Sequence, residues 1–231
     1  MIKNTIVILA GGFGTRLQSV LNGLPKPLAD INGEPFLKYQ FKNWINNGFN
    51  DFIISLYYRS DLIIEFINSN KNGLLKNCKI QYIVESHPLG TGGAISFLIS
   101  KCQMTDSFYV ANADTWIENG YKLLDIKDEN VIGLTKVNNT SRYGSVLTNR
   151  KNLVVKFEEK NDKEKPGYIN IGLYKLNKSI FSSYSKLEFS LEKDLFPMLV
   201  NEKRLKAVNL NTKFIDIGIP EDYHIFCKSK K

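Results

Sequence analysis

The sequence predicts an α/β fold: three layers, with a mixed, mainly parallel sheet flanked by helices. Three observations lead there. Short apolar runs alternate with helical stretches through the first half of the 231 residues. The first run ends in a glycine-rich loop, and open α/β sheets take their ligands at the carboxyl ends of strands. After about Asp114 the runs become strand-like with few helices between them, so antiparallel strands are expected to join the sheet.

In chain order, apolar strands are expected at Thr5–Ala10, Asp51–Leu56, Ile80–Glu85 and Phe108–Ala111, with helices over Pro35–Asn47, Leu62–Asn68 and Gly92–Cys102 between them. Short apolar strands separated by helices imply a parallel sheet covered on both faces. The second half offers strands at Val131–Lys136, Gly144–Leu147, Leu153–Phe157 and Tyr168–Tyr174. Helical pieces return at Lys178–Tyr184 and Leu191–Val200, and strands follow near Leu205–Leu210 and Lys213–Asp216. Gly218 permits a sharp turn and Pro220 suits the first turn of a closing helix. No linker, low-complexity segment or repeat interrupts the chain, so one domain spanning residues 1–231 is expected.

The loop after the first strand reads Gly11-Gly12-Phe13-Gly14-Thr15-Arg16-Leu17, and Pro25-Lys26-Pro27 follows. Glycines let backbone N–H groups approach an anion, and Arg16 and Lys26 add two cations, so the segment can hold a polyphosphate. It is not a P-loop, because Gly14 precedes Thr15-Arg16 rather than Lys-Ser/Thr. It is not a dinucleotide fingerprint, because Leu17 stands where a third glycine is required. A kinase glycine-rich loop is excluded too, since Lys26 lies between prolines rather than on a later strand. A plain tight turn is the remaining alternative, and the adjoining Arg16 and Pro-Lys-Pro argue against it.

Gly11-Gly12-x-Gly14-Thr15-Arg16-Leu17 with Pro25-Lys26-Pro27 resembles the signature of the sugar-1-phosphate nucleotidylyltransferases. Phe13, Ser19-Val20, Leu24-Pro25-Lys26-Pro27-Leu28-Ala29 and Gly33-x-Pro35-Phe36-Leu37 resemble the form found in D-glycero-D-manno-heptose 1-phosphate guanylyltransferases. Many hexose-1-phosphate members carry Pro-Leu-Thr where this chain has Ser19-Val20-Leu21, which points away from them. The resemblance implies a Rossmann-like fold of the nucleotide-diphospho-sugar transferase type. It also implies transfer of a nucleotidyl group from an NTP, here GTP, to a D-glycero-α-D-manno-heptose 1-phosphate with release of pyrophosphate. A mannose- or other hexose-1-phosphate nucleotidylyltransferase using GTP, UTP, CTP or dTTP is the near alternative. A non-catalytic, nucleotide-sugar-binding regulatory subunit is the distant one, and the presence of Arg16, Lys26, Asp114 and Asp216 speaks against it.

The same resemblance assigns residues. Arg16 and Lys26 would be the catalytic cations, and Leu9, Ala10, Gly11, Gly12, Gly14 and Thr15 would surround the nucleotide. Leu89-Gly90-Thr91-Gly92-Gly93-Ala94 resembles the base-binding loop, where small residues such as Gly90 admit the base and Thr91 opens the helix. Glu85, at the preceding strand end, could accept two hydrogen bonds from the N1–H and N2–H₂ edge of guanine, which uracil and thymine do not offer; the alternative is a solvent-facing strand end. Asp114, closing Asn112-Ala113-Asp114, and Asp216, closing Phe214-Ile215-Asp216, match the two aspartates that hold Mg²⁺ in the family, with Ala113 replacing the usual glycine. Alone, each would read as a turn or cap residue.

On the sugar side, Glu159-Lys160 resembles the pair contacting the sugar hydroxyls and phosphate, although Asn161 replaces a frequent proline. Asn170 resembles the sugar-bonding asparagine, and Arg142-Tyr143-Gly144 the segment closing one side of the sugar pocket. Without the resemblance these read as a solvated charge run, a strand edge and a turn. His87 is not needed as a base, because a phosphate monoester with a second pKa near ~6 is already an anionic nucleophile at neutral pH.

The resemblance implies an NTP and a sugar 1-phosphate as partners, and the composition points to no others. The formal charge of +8 comes from scattered lysines, and only Lys228-Ser229-Lys230-Lys231 forms a run, so nucleic acid is not expected. A positive sign suits the steering of two polyanionic substrates. No apolar run reaches the ~20 residues that span a bilayer and the start does not read as a signal peptide, so no membrane partner and a cytoplasmic location are expected. Cys78, Cys102 and Cys227 lack a C-x-x-C pair and read as reduced thiols; with only His87 and His224 besides, no zinc cluster arises. A homodimer is left open.

Overall fold

β1 (Thr5–Ala10) is buried on both faces along almost its whole length, and this places it in the middle of a sheet. The computed structural model describes residues 5–126, 130–158, 164–182, 184 and 186–231. After β1 come α1 (Gln18–Leu21), the short hairpin β2 (Asp30–Ile31) and β3 (Glu34–Pro35), α2 (Phe36–Asn46), β4 (Asp51–Leu56), α3 (Ser60–Asn70), β5 (Lys79–Val84), α4 (Gly90–Lys101), β6 (Ser107–Asn112) and β7 (Thr115–Ile117). The second half holds β8 (Val131–Val137), β9 (Ser145–Thr148), β10 (Val154–Glu158), β11 (Gly167–Asn177), α5 (Ser179–Ser182), α6 (Phe196–Asn201), β12 (Lys206–Asn209), β13 (Phe214–Asp216) and α7 (Pro220–Ser229).

Seven strands form the main sheet in the order β12-β8-β11-β6-β1-β4-β5. Only β11 runs against the others: it is antiparallel to both β6 and β8, whereas β1 pairs in parallel with β4 and β6, β4 with β5, and β12 with β8. The mixed, mainly parallel sheet expected from the sequence is therefore what forms. The antiparallel block expected after Asp114 is smaller than anticipated, because β9 and β10 leave the sheet as a separate hairpin.

Side chains alternate across the sheet as strand geometry requires. Ile6, Ile8, Phe52 and Ile54 face one layer with Phe41, Trp44, Ile63 and Ile67 from α2 and α3. Val7, Ile53, Phe108 and Val110 face the other, with Ile95 and Leu98 of α4 and Phe196 and Leu199 of α6. A smaller cluster of Leu17, Leu21, Phe36, Trp116, Ile217 and Phe226 ties the loop after β1 to β7 and α7. Phe226 is fully buried there, worth about 1.5–3 kcal/mol by area, and this holds the last helix against the glycine loop.

From β1 the chain moves to β4 on one side, while β6 arrives on the other. Such a switch point leaves a crevice beyond the strand ends. One further pairing has no counterpart in the sequence expectations. β13 joins β7 as a two-stranded antiparallel ribbon in which Asp216 lies opposite Thr115, and the Ile217 N–H donates to the Asp114 carbonyl at 3.0 Å.

Candidate active site

A cavity of about 330 Å³ opens at the carboxyl ends of β1, β4 and β6. Leu9, Gly11, Gly12, Glu85, Gly90, Thr91 and Asp114, all singled out in the sequence, line it together. A small adjoining cleft is lined by Ala10, Lys26 and Asp114 among others. The structure adds Phe13, Ser55, Pro88, Ala94 and Asn112 to the wall. Ser55 and Asn112 had a sequence signal, being polar residues near the ends of otherwise apolar strands. Phe13 belongs to the glycine-loop motif itself; it stands 46% exposed at the rim, its ring 5.5 Å from those of both Tyr57 and Tyr58.

Gly14 and Thr15 do not line the cavity. Gly14 takes φ +64° at the start of the 3-10 turn Thr15–Leu17, and a Cβ there would meet the Lys26 stem at 3.3 Å. Glycine is thus required so that Lys26 can pass over the loop. Lys26 itself opens a 3-10 turn after the extended Pro25, with its side chain 13% exposed and Nζ 2.6 Å from Asp114 Oδ2. Leu17 is wholly buried and anchors the turn, leaving Arg16 exposed. The Arg16 guanidinium lies beside the Asp216–Gly218 turn, where a Cβ on Gly218 would sit 3.3 Å from Nη2.

The β7–β13 ribbon makes neighbours of Asp114 and Asp216. Thr115 Oγ1 donates to Asp114 Oδ1 at 3.1 Å and the Gly218 N–H donates to Asp216 Oδ1 at 2.8 Å, so each carboxylate is oriented. Below them Gln40, 2% exposed, donates to the Thr115 carbonyl at 2.8 Å and pins the turn to α2. Burial pushes the Asp216 carboxyl above its usual range, and the Asp114 charge adds to this. Lys26, the Gly218 N–H and Arg16 oppose the shift.

Glu85 lies just past β5 and is buried, which removes the solvent-facing alternative. Its Oε1 accepts from Ser55 Oγ at 2.6 Å and its Oε2 from the Leu89 N–H at 2.9 Å. Both oxygens keep lone-pair capacity for a further donor. The glycines of the neighbouring loop have a packing cause of their own. The Phe189 carbonyl accepts from the Gly92 and Gly93 N–H groups at 3.0 and 3.1 Å, and a Cβ on Gly92 would collide with the Phe189 ring. α4 begins at Gly90 without a side-chain cap, and the Thr91 hydroxyl donates to Glu192 Oε2 at 2.8 Å instead of capping the helix. His87 is outside the cavity wall and pairs with Glu188 at 3.2 Å.

Of the sugar-side residues, Asn170, Tyr143 and Gly144 are outside the wall of this cavity. Glu159 and Lys160 lie outside the described residues. Asn170 on β11 donates to Tyr174 Oη at 2.9 Å and accepts from the Gly172 N–H at 3.0 Å. Tyr143 is half-buried, edge-on to Phe214 at 5.8 Å, and burial raises its phenol against the opposing pull of Arg142. Gly144 follows with its N–H on the Thr140 carbonyl. Arg142 turns to α7, where Nη2 meets Asp222 Oδ2 at 2.6 Å. Among the described residues no group of three or more His, Cys, Asp or Glu side chains forms a metal site, and no helix is long and apolar enough to cross a membrane.

Known proteins resemble this chain in sequence and in fold. The D-glycero-α-D-manno-heptose 1-phosphate guanylyltransferase of Campylobacter jejuni is 38% identical over 224 residues, which cover 95% of this chain and 97% of that protein. The mannose-1-phosphate guanyltransferase of Schizosaccharomyces pombe is 33% identical over 94% of this chain, and the match covers 61% of that longer protein. HddC from Yersinia pseudotuberculosis superposes with a TM-score of 0.88 at 38% identity, covering 99% of this chain and all of that one; its structure complexed with GMP-PN gives 0.86 at 37% identity with the same coverage. The family model described as nucleotidyl transferase matches residues 5–229, from β1 to the end of α7. With a glycine loop, its lysine and two aspartates brought together by the β7–β13 ribbon, this chain belongs to the nucleotidyl transferase family.

Proposed function

We propose that the chain transfers a guanylyl group from GTP to D-glycero-α-D-manno-heptose 1-phosphate, forming a nucleoside diphosphate-sugar and pyrophosphate. The observation that carries this reading is the convergence of the glycine loop, Lys26 and Asp114 at one crevice, with Asp216 set beside Asp114 by the β7–β13 ribbon. Relatives acting on heptose 1-phosphate and matching nearly end to end support the choice of substrate.

The sugar phosphate oxygen attacks the α-phosphorus of GTP. The bond from that phosphorus to the bridging oxygen breaks, and pyrophosphate leaves with the electron pair. No proton has to be removed from the nucleophile near neutral pH. Catalysis therefore consists of alignment and neutralisation of charge. The backbone of Gly11 and Gly12 and the walls at Leu9 and Ala10 receive the nucleotide, with Gly14 and Thr15 shaping the turn behind them. Lys26, already seated on Asp114, bridges phosphate oxygens, and the exposed Arg16 meets the β- and γ-phosphates. Asn170, Tyr143 and Gly144 receive the sugar, and by their sequence resemblance Glu159 and Lys160 hold its hydroxyls and phosphate.

The donor set of Asp114 and Asp216 fits a hard divalent cation, magnesium: two oriented, adjacent carboxylates leave the other positions to water and phosphate oxygens. When bound, the ion offsets charge on the triphosphate and holds its oxygens in place. Burial and the neighbouring Asp114 charge both disfavour the ionised Asp216 carboxyl, and a cation held there would favour it.

Glu85 selects guanine. Ser55 and the Leu89 N–H hold its carboxylate at the cavity wall, where a base edge with two donors can pair with it. Glu85→Gln replaces one acceptor with a donor. The GTP-over-UTP ratio of kcat/KM is expected to fall by roughly 10–100-fold, as for loss of a charged hydrogen bond. An unchanged ratio would sink the assignment. The second reading is the same chemistry on mannose 1-phosphate, favoured by the match to the mannose-1-phosphate guanyltransferases. Pyrophosphate release measured for GTP, UTP, CTP and dTTP against heptose and mannose 1-phosphates tests both readings together. GTP with the heptose is expected to give the largest kcat/KM, and a larger value with mannose would select the second reading.

A further inference from the structure

Behind the two substrate walls runs a chain of hydrogen bonds centred on Glu192. Its Oε2 lies 2.8 Å from Thr91 Oγ1 and 2.8 Å from Ser190 Oγ, and its Oε1 lies 3.0 Å from Tyr174 Oη. Tyr174 is 1% exposed and continues the chain to Asn170 at 2.9 Å. Thr91 lines the cavity, and Asn170 is the asparagine that the proposed function assigns to the sugar. One carboxylate thus touches the support of both halves of the site, across 101 residues of sequence on one side and 18 on the other.

The donor directions follow from groups that cannot reverse. The Gly172 N–H can only donate, so the Asn170 oxygen faces it and the Asn170 amino group faces Tyr174. Tyr174 accepts that bond and sends its own proton to Glu192. Burial raises the Tyr174 phenol well above its usual range, with the Glu192 charge adding to this, so it stays a donor. On the other side, the Leu191 N–H occupies the Thr91 hydroxyl as acceptor at 2.8 Å, which directs the Thr91 proton to Glu192. Ser190 accepts from the N–H groups of Glu192 and Lys193 and likewise donates its proton to the carboxylate. Three hydroxyl protons therefore converge on one acceptor-only group.

The backbone that presents Glu192 is itself unusual. Residues Leu191–Leu195 form a single π-helical turn before α6, with the Leu195 N–H reaching the Ser190 carbonyl at 3.2 Å. Such turns recur where a side chain has to be re-aimed at a functional site.

We infer that Glu192 is a positioning residue for both substrates: through Tyr174 it fixes the amide of Asn170 so that one N–H stays free for the sugar, and through Thr91 it fixes the nucleotide wall at the start of α4. The inference rests on the proposed function, since it takes Asn170 as a sugar contact and Thr91 as part of the nucleotide wall. Three variants separate the two arms. Tyr174→Phe cuts only the Asn170 arm and is expected to raise KM for heptose 1-phosphate about tenfold, with KM for GTP within about twofold of the parent. Thr91→Val cuts only the other arm, and there the GTP constant is expected to move while the sugar constant holds. Glu192→Gln can no longer accept all three protons and should raise both constants.

Thermal melting is recorded for each variant, because a merely structural role lowers the midpoint without splitting the constants. If Tyr174→Phe leaves both constants unchanged, or moves them equally, the positioning role is overturned while the proposed reaction stands. If the parent enzyme releases no pyrophosphate from any NTP and sugar-phosphate pair, the reaction itself is wrong and the inference falls with it. Should Tyr174→Phe not fold, the Thr91→Val and Glu192→Gln pair decides the question by the same split.

Discussion

Asp114→Asn is expected to lower kcat by roughly 10³-fold while KM for the sugar phosphate changes by less than about threefold. The substitution keeps the size of the side chain and removes its charge. Asp114 accepts from Lys26 at 2.6 Å and from Thr115 at 3.1 Å, and its carboxylate neighbours Asp216 on the ribbon. Loss of the charge releases Lys26 from its seat and removes half of the carboxylate pair proposed to hold the divalent ion. Both effects bear on the triphosphate as charge develops on the leaving pyrophosphate, and neither touches the sugar side at Asn170 and Tyr143. Steady-state pyrophosphate release over a range of both substrates reads the split. Equal losses in kcat and in sugar-phosphate affinity would contradict the assignment of Asp114 to the metal and phosphates.

The second large effect is expected at Lys26. Lys26→Met keeps the apolar stem that packs over Gly14 and removes the ammonium that reaches Asp114. Turnover is expected to drop by roughly 10²–10⁴-fold, the range for removing a group that meets transition-state charge. Lys26→Arg is expected to restore little, because a planar guanidinium is wider than the compact ammonium held between the glycine loop and the carboxylate. The folded state is expected to lose only ~1–2 kcal/mol, well short of the cost of breaking a fully buried pair, since Asp114 is 30% exposed and can turn to water. Chemical denaturation beside the kinetics separates the two quantities. A variant that melts far below the parent, or one that keeps full turnover, would each remove Lys26 from the phosphate-bridging role.

How much of this was legible in the sequence depends on how far apart the contacting residues lie. β1, β4 and β6 are buried on both faces, so they appear as unbroken apolar runs with boundaries within a residue or so of those expected. α2 was equally visible, because Phe36, Leu37, Gln40, Phe41 and Trp44 recur on one face. The glycine-loop motif is contained within seven residues, Gly11 to Leu17, so it can be recognised without tertiary information.

The β7–β13 ribbon was not visible. Each of its strands has three residues, too few for a period to register, and the partners of Phe214, Ile215 and Asp216 lie about one hundred residues earlier. The sequence therefore named Asp114 and Asp216 without the pairing that makes them neighbours. The same distance hid the cause of Gly92 and Gly93, which face a carbonyl at Phe189, and the partner of Arg142, which is Asp222 on α7. β11 was read as one of several antiparallel strands, yet it alone reverses the sheet, a matter of pairing that side-chain alternation does not encode.

The measurement that bears most directly on the account is product identification by phosphorus NMR, with the full chain, GTP, D-glycero-α-D-manno-heptose 1-phosphate and magnesium in one tube. The expected result is loss of the heptose 1-phosphate and GTP signals in equal amounts, with one pyrophosphate formed for each new diphosphate-linked sugar, and none of this when magnesium is chelated. Pyrophosphate without a sugar-linked product, or no consumption of either substrate, would contradict it.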